Sequence, residues 1–279
     1  MPRPKPSDVI VVGAGAAGIG VGVVLKELGL RFKILDRQEV GASFARWPRE
    51  MRFITPSFPS NQFGALDLNS VAIGTSPAFS LSCEHPTGRE YAAYLQAVAE
   101  HFELPVETGV DVQTVATVGD DGFDIGTSTG TYRSRFIIWA AGEFQYPRLS
   151  PFPGAELCRH NGQVRSWREL EGDDFLIVGG YESGVDAAIH LANAGKKVRI
   201  FDRDAALLRQ DSDPSVTLSP FTRERLDRAL ATKRIRAEDQ AEVIAVEQIR
   251  KGLRKRFEVR TREGKSYASV TPPILATGF

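Results

Sequence analysis

The sequence predicts an α/β protein made of two Rossmann-like dinucleotide-binding domains, each with a parallel sheet and a β-meander. Three observations carry this. A glycine-rich turn occurs twice, each time between a short apolar run and a stretch of helical length. After each turn a second apolar run ends in aspartate, and in both copies the first glycine precedes that acid by 23 positions. Each copy then closes with an alternating hairpin that leads into an apolar run ending in small residues.

The first copy runs Val9-Ile10-Val11-Val12-Gly13-Ala14-Gly15-Ala16-Ala17-Gly18 and reaches Ile34-Leu35-Asp36. Val9 to Val12 is too short for a helix and suits a strand buried on both faces. Gly13 permits a tight turn, Gly15 lets a pyrophosphate approach the backbone, and Gly18 lets the next helix pack closely on the strand. That helix, read from about Ala17 to Leu28 and ended by Gly29, aims free N–H groups and a positive dipole end at the phosphates. Gly13, Gly15, Ala16, Ala17 and Gly18 are therefore candidate cofactor-binding residues. Asp36 ends the second strand, where a carboxylate can accept hydrogen bonds from a ribose hydroxyl pair, and Arg37 stands beside it.

The second copy runs Phe175-Leu176-Ile177-Val178-Gly179-Gly180-Tyr181-Glu182-Ser183-Gly184 and reaches Ile200-Phe201-Asp202. Tyr181 replaces the middle glycine, so its Cβ pushes a pyrophosphate away or the loop bends differently. Gly179, Gly180, Tyr181, Glu182, Ser183 and Gly184 are the candidate residues of this site. Asp202 favours NADH through the ribose 2′-hydroxyl, whereas Arg203 suits the 2′-phosphate of NADPH, and the sequence leaves both open. A relic turn that binds nothing is the alternative.

The duplication continues past the turns. Gly122 to Gly130 and Arg256 to Gly264 alternate like hairpins. They lead into Phe136-Ile137-Ile138-Trp139-Ala140-Ala141-Gly142 and Pro273-Ile274-Leu275-Ala276-Thr277-Gly278. Small residues at Ala141, Gly142, Thr277 and Gly278 allow backbone close to a ligand. The expected division is 1–147, 148–270, and a return strand at 271–279 that rejoins the first domain. About sixty extra residues follow Asp36. They include Gly41 to Pro48, with Ser43 and Trp47, and then Thr55 to Gly64. Prolines and aromatics at this density predict an ordered irregular loop against something flat. Thr87-Gly88-Arg89-Glu90 is a capping box opening a helix through about Phe102.

The chain has 279 residues, 42% hydrophobic and 25% charged, with formal net charge zero. No long-range field draws in nucleic acid, and the basic run Arg250 to Arg256 is read as the solvated end of a hairpin. No apolar stretch reaches membrane-span length, and residues 1–8 lack a secretory h-region. Cys83 and Cys158 are the two cysteines, with no CxxC pair, which suits a reduced, cytoplasmic protein. His85, His101, His160 and His190 show no metal-ligand spacing.

These motifs resemble the two-dinucleotide-binding-domain flavoproteins, the group holding flavin-containing and Baeyer–Villiger monooxygenases. More closely, the chain resembles bacterial flavin-containing monooxygenase-like proteins grouped with cation-efflux-associated flavoproteins. The likeness rests on both glycine turns, Gly41 to Pro48, Ser57-Phe58-Pro59-Ser60-Asn61, Trp139 to Phe144 and Ile274 to Gly278. It implies the FAD/NAD(P)-binding fold, with FAD on the first turn and NADPH or NADH on the second. It places Asn61 near flavin and nicotinamide as the catalytic candidate; a loop asparagine capping a turn is the alternative. Phe152-Pro153-Gly154 with His160 and Trp167 resembles the class B monooxygenase linker, but with longer spacing. Ala17 stands where related bacillithiol-disulfide reductases carry a cysteine, so chemistry through a protein thiol is not expected.

The resemblance implies an oxidoreductase in which hydride passes from nicotinamide to flavin. A monooxygenase comes first; a reductase of a quinone, metal or small disulfide, and a non-enzymatic sensor, remain. The expected partner is a small-molecule substrate, with a homodimer compatible. Asp211 to Ser215 and Ser219 to Arg223 either cover the nicotinamide or substrate or form a plain surface loop. Because the family's chain re-enters the flavin domain after the second return strand, truncation at Phe279 is also an expectation.

Overall fold

The computed structural model describes residues 7–57, 67–119, 122–205, 207, 209–211, 213, 216–251 and 254–279. The chain divides into two compact units, residues 1–46 with 55–143, and residues 47–54 with 144–279.

The first unit begins with β1 (Ser7–Val12), whose last four residues are buried. α1 (Ala16–Glu27) follows, and β2 (Phe32–Leu35) lies parallel to β1 with Val9 opposite Phe32. Gly29 takes the left-handed conformation (φ +68°) just past the helix, which glycine adopts without steric cost. α2 (Ala42–Ala45), α3 (Pro77–Leu81) and α4 (Gly88–His101) belong to the insertion. The capping box at α4 forms as the sequence indicates: Thr87 Oγ1 accepts from Glu90 N, and Glu90 Oε2 accepts from Thr87 N at 2.7 Å. β3 (Val106–Glu107) extends the sheet beside β2. β4 (Val112–Thr117), β5 (Phe123–Thr127) and β6 (Gly130–Trp139) form the meander.

The strand order is β3-β2-β1-β6-β5-β4. β6 serves two partners. Its first half pairs antiparallel with β5, and Ser134 to Trp139 pair parallel with β1. Meander and parallel layer are therefore one continuous sheet, closed over a core of Ile10, Val12, Leu35, Val110 and Ile125.

Buried polar groups order the insertion. The Asp67 carboxylate accepts from Asn69 N (2.6 Å), Ser76 Oγ (2.9 Å) and Ala78 N (3.1 Å). The Asn69 amide donates to Thr55 O (3.0 Å) and Ser57 Oγ (2.7 Å), and Tyr91 Oη donates to Asn69 O. Burial raises the Tyr91 phenol above its ordinary range, helped by Tyr94 and Asp67, so it stays a donor. Of the loop expected to pack on something flat, Gly41 to Pro48 and Thr55 to Gly64, residues 58–64 lie outside the described residues.

The second unit contains β7 (Arg159–His160), β8 (Asp174–Val178), α5 (Glu182–Asn193), β9 (Lys197–Asp202), α6 (Pro220–Leu230) and β10 (Ile235–Asp239). β11 (Val243–Lys251), β12 (Arg254–Thr261), β13 (Ser266–Ser269) and β14 (Ile274–Leu275) follow. The parallel sheet has the order β10-β9-β8-β14-β7, and here the meander β11-β12-β13 is a separate sheet. Leu176, Val178 and Phe201 from one sheet pack with Val246 and Val259 from the other. Between the helices and the parallel sheet lies a larger core that includes fully buried Trp167.

Two features differ from the expected division. Ile274 and Leu275 pair with β8 and β7, so the segment 271–279 belongs to the second sheet instead of returning to the first. Its register explains why: Ala276 N donates to Val178 O (2.8 Å), just as Ala140 N donates to Val12 O (2.8 Å) in the first unit. Each half keeps its own return strand. Residues 47–54 also group with the second unit, although they lie within the first 147 residues. Glu50 accepts from Ser166 Oγ (2.5 Å) and Trp167 N (3.1 Å), and Arg49 N donates to Arg165 O (2.9 Å). Although burial pulls the other way, these donors hold the Glu50 carboxyl below its ordinary range. Among the described residues, no helix is long and apolar enough to cross a membrane.

Candidate functional site

Both glycine turns have the same construction. Gly13 N donates to Leu35 O (2.8 Å), and Gly179 N to Phe201 O (3.0 Å). Gly13 (φ +108°) and Gly179 (φ +115°) take a conformation that strains any side chain. A Cβ on Gly13 would sit 2.4 Å from Ala140 O, and one on Gly179 would sit 2.3 Å from Ala276 O. A Cβ on Gly18 or Gly184 would meet the carbonyl of Gly13 or Gly179 at 1.8 and 1.9 Å. Those two glycines let each helix start directly over the end of its strand.

Gly15 differs from these. A Cβ there would meet nothing within 4 Å, and its backbone (φ −80°, ψ −169°) is extended, open to any residue. The fold itself does not require glycine at this position, and the space in front of its backbone is clear. No side chain caps α1 and its first turn holds no acid, so the N–H groups of Ala16, Ala17 and Gly18 keep their positive end for an anion. Ala17 is exposed at this end.

Tyr181 takes the position of Gly15 in the second copy with nearly the same backbone (φ −103°, ψ −170°). The loop therefore does not bend to admit the side chain, contrary to one of the two outcomes read from the sequence. The phenol, 40% exposed, is raised above its ordinary range by burial and then by Glu182 and Asp213. Glu182 occupies the first turn of α5, but its carboxylate is turned away to α6. It accepts from Ser219 N and from Thr222 Oγ1 (2.5 Å), tying the two helix N-termini together. No local pattern in the sequence signals this tie, because Glu182 and Thr222 are 40 positions apart. Ser183 is the next residue of the same turn.

The two acids are placed differently. Asp36 is half-buried and accepts from Ala14 N and Gln38 N, each at 2.7 Å, so it also fastens the first glycine turn. Arg37 beside it is exposed. Asp202 is buried and accepts from Leu207 N (2.8 Å), while Arg203 pairs bidentately with Asp204 (2.9 and 2.9 Å).

The remaining expected residues divide between the units. Gly41 N donates to Ala14 O (3.0 Å), which docks α2 and its Ser43 beside the first glycine turn. Ala141 and Gly142 follow β6 directly at Ala140. Trp47 belongs to the second unit, its ring 5.2 Å from Phe53 and 6.4 Å from Phe144. Thr277 and Gly278 follow β14; Gly278 O accepts from Arg148 N (3.1 Å) and from His160 Nε2 (3.0 Å). His160 Nδ1 accepts from Gly162 N (3.1 Å), which fixes the neutral tautomer, and burial lowers the ring below its ordinary value. Asn61 lies outside the described residues. Among those described, no group of three or more His, Cys, Asp or Glu is placed to hold a metal.

The family profile described as "Pyridine nucleotide-disulphide oxidoreductase" matches residues 10–279. The chain belongs to this family. An uncharacterized oxidoreductase CzcO of Bacillus velezensis is 31% identical over 178 residues, covering 60% of this chain and 47% of that protein. Bacilliredoxin reductase Bdr of Bacillus subtilis is 23% identical over 179 residues, covering 64% of this chain and 52% of that protein. This chain thus matches about half the length of such curated relatives. Among solved structures, bacillithiol disulfide reductase Bdr (YpdA) from Staphylococcus aureus aligns with a TM-score of 0.77 at 20% identity, over 99% of this chain and 77% of that one. The flavin-containing monooxygenase from Stenotrophomonas maltophilia aligns with a TM-score of 0.70 at 20% identity, over 98% and 78%. These likenesses confirm the two-domain FAD/NAD(P)-binding fold class.

The glycine geometry separates two roles by experiment. Gly18→Ala and Gly184→Ala force a methyl group onto a backbone carbonyl and are expected to cost roughly 2–4 kcal/mol each in denaturant melts. Gly15→Ala is expected to stay within about 0.5 kcal/mol of the parent, as a substitution that touches nothing. A Gly15→Ala loss as large as that of Gly18→Ala would contradict the assignment.

Proposed function

We propose that the chain is a flavoprotein oxidoreductase that binds FAD on the first glycine turn and takes hydride from NAD(P)H bound on the second. One observation carries this reading: two intact strand–turn–helix cradles with matching hydrogen bonds, one of them open at Gly15 with an uncapped helix N-terminus. The residues present fit the cofactors. Gly13, Gly15, Ala16, Ala17 and Gly18 would hold the FAD pyrophosphate, with Asp36 and Arg37 toward the adenosine ribose and Ser43, Ala141 and Gly142 completing that site within the first unit. Gly179 to Gly184 and Arg203 would hold the nicotinamide dinucleotide, with Thr277 and Gly278 at the end of the return strand, while Asp202, buried beside Gly180 and bonded to Leu207 N, would fasten the turn. Flavin and nicotinamide supply the redox chemistry when bound. The chain's own residues orient them and exclude water.

The reaction class is monooxygenase-like, in a cytoplasmic protein acting on a small molecule and compatible with a homodimer. Asn61 is its catalytic candidate. The alternative, an NAD(P)H-dependent reductase of a quinone, metal or small disulfide, is supported by the relaxed spacing from Gly154 to His160 and Trp167. Incorporation of labelled oxygen into product distinguishes the two.

Transfer through a protein thiol is disfavoured. Cys158 is pushed up to about 12 by burial and then by Glu156, so it is no nucleophile near neutral pH. Cys83 and Cys158 form no disulfide, and Ala17 stands at the exposed helix start.

Two outcomes are expected. Cofactor released by heat from the full chain is FAD, and Gly15→Val, which intrudes on the pyrophosphate approach, abolishes flavin retention without unfolding the protein. Recovery of FMN, or full flavin content in Gly15→Val, contradicts the first-site assignment. The Cys83→Ser, Cys158→Ser double variant keeps NAD(P)H oxidation at the parental rate; loss of turnover in a folded, flavin-loaded variant would show that a thiol takes part.

A further inference from the structure

The acid of the second copy is not used like that of the first. Asp202 is only 2% exposed. Its Oδ2 accepts from Leu207 N, and a Cβ on Gly180 would lie 2.4 Å from Asp202 Cβ and Cγ and 2.8 Å from Oδ1. The carboxylate is thus enclosed between the glycine turn and the chain that follows β9. Ala205 has positive φ (+52°), and Arg223 from α6 donates to Leu207 O (2.6 Å) and Arg209 O (3.3 Å). Asp202 pins this segment and offers no open edge to a pair of ribose hydroxyls.

The charges outside that pin are exposed. Arg203 and Asp204 have side chains 64% and 65% exposed and pair bidentately. The Arg203 hydrogen bonds hold the Asp204 carboxyl below its ordinary range against slight burial, with the Arg203 and Arg209 charges adding to the effect. Glu242, paired bidentately with Arg262, also feels Arg203. Arg203 and Arg209 thus both act on the Asp204 carboxylate, and Arg203 acts on Glu242 as well.

We propose that Asp204 is a specificity-determining residue, an internal competitor that holds the Arg203 fork until a 2′-phosphomonoester on an adenosine ribose displaces it. The second half then selects the 2′-phosphorylated nicotinamide dinucleotide. This rests on the reading above that the second turn takes NAD(P)H.

The physical argument is one of exchange. An exposed ion pair contributes little and opens readily. A phosphomonoester carries nearly two negative charges and three acceptor oxygens, so it out-competes a single carboxylate for the bidentate fork. A neutral 2′-hydroxyl has no such advantage over Asp204, and the enclosed Asp202 cannot receive it. Discrimination therefore comes from Arg203 against Asp204, not from the acid that ends the strand.

The test is equilibrium titration calorimetry of the full chain with adenosine 2′,5′-bisphosphate and with adenosine 5′-monophosphate, which needs neither flavin nor turnover. In the parent the bisphosphate is expected to bind more tightly. Asp204→Asn is expected to tighten the bisphosphate by about two- to fivefold, the scale of an exposed pair, and to leave the monophosphate unchanged. Arg203→Ala is expected to weaken the bisphosphate about tenfold or more and to make Asp204→Asn silent in that background. No change, a weakening, or an equal shift with both ligands in folded Asp204→Asn overturns the proposal. Equal binding of the two ligands by the parent overturns 2′-phosphate selection while the dinucleotide reading stands. Binding of neither overturns that reading for the second half, and the inference with it.

Discussion

The contact on which the structure depends is between two pieces of backbone. In each half the third residue of the helix must pass within contact distance of the carbonyl that begins the turn. Gly18 does this over Gly13, and Gly184 over Gly179. Because neither has a Cβ, the helix starts on the strand's end and its unsatisfied N–H groups gather at the carboxyl edge of the parallel sheet. The return strand is then fixed to the same point, through Ala140 in one half and Ala276 in the other. An anion-directed helix, a strand end and a small-residue return loop are thereby held together twice in one chain.

The halves have diverged around this shared contact. The first leaves the turn open at Gly15 and keeps its helix N-terminus without an acid. The second places Tyr181 at the open position and commits Glu182 to α6. Substitution at the middle position leaves the loop conformation nearly unchanged because the backbone there is extended, a conformation open to any residue. The divergence lies in the side chain offered at the turn, not in the backbone. The same separation appears in the acids, where Asp36 is half-buried and Asp202 is enclosed.

Much of this was legible in the sequence, for physical reasons. Glycines at tight contacts, apolar runs at Val9 and Phe175, and the capping box at Thr87 are local signals, and local signals survive into structure. What the sequence did not disclose depends on distant partners. Ile274 and Leu275 read as a buried strand, but the pattern cannot say which sheet takes it; pairing with β8 and β7 decides that. Glu50 looks like an ordinary loop charge until Ser166 and Trp167 claim it for the second unit. Asp202 matches Asp36 in spacing, yet its burial comes from Gly180 and Leu207. Asn61, the catalytic candidate, lies outside the described residues, so its role rests on the family resemblance alone.

The central claim is that one chain joins a flavin half to a nicotinamide half for hydride transfer. The most direct measurement is anaerobic titration of the purified, flavin-loaded protein with NADPH and with NADH, following the flavin absorbance. Stoichiometric bleaching, with NADPH effective at the lower concentration, is the predicted result. Flavin that stays oxidised under excess of both nucleotides would contradict the account, whatever the protein's stability or fold.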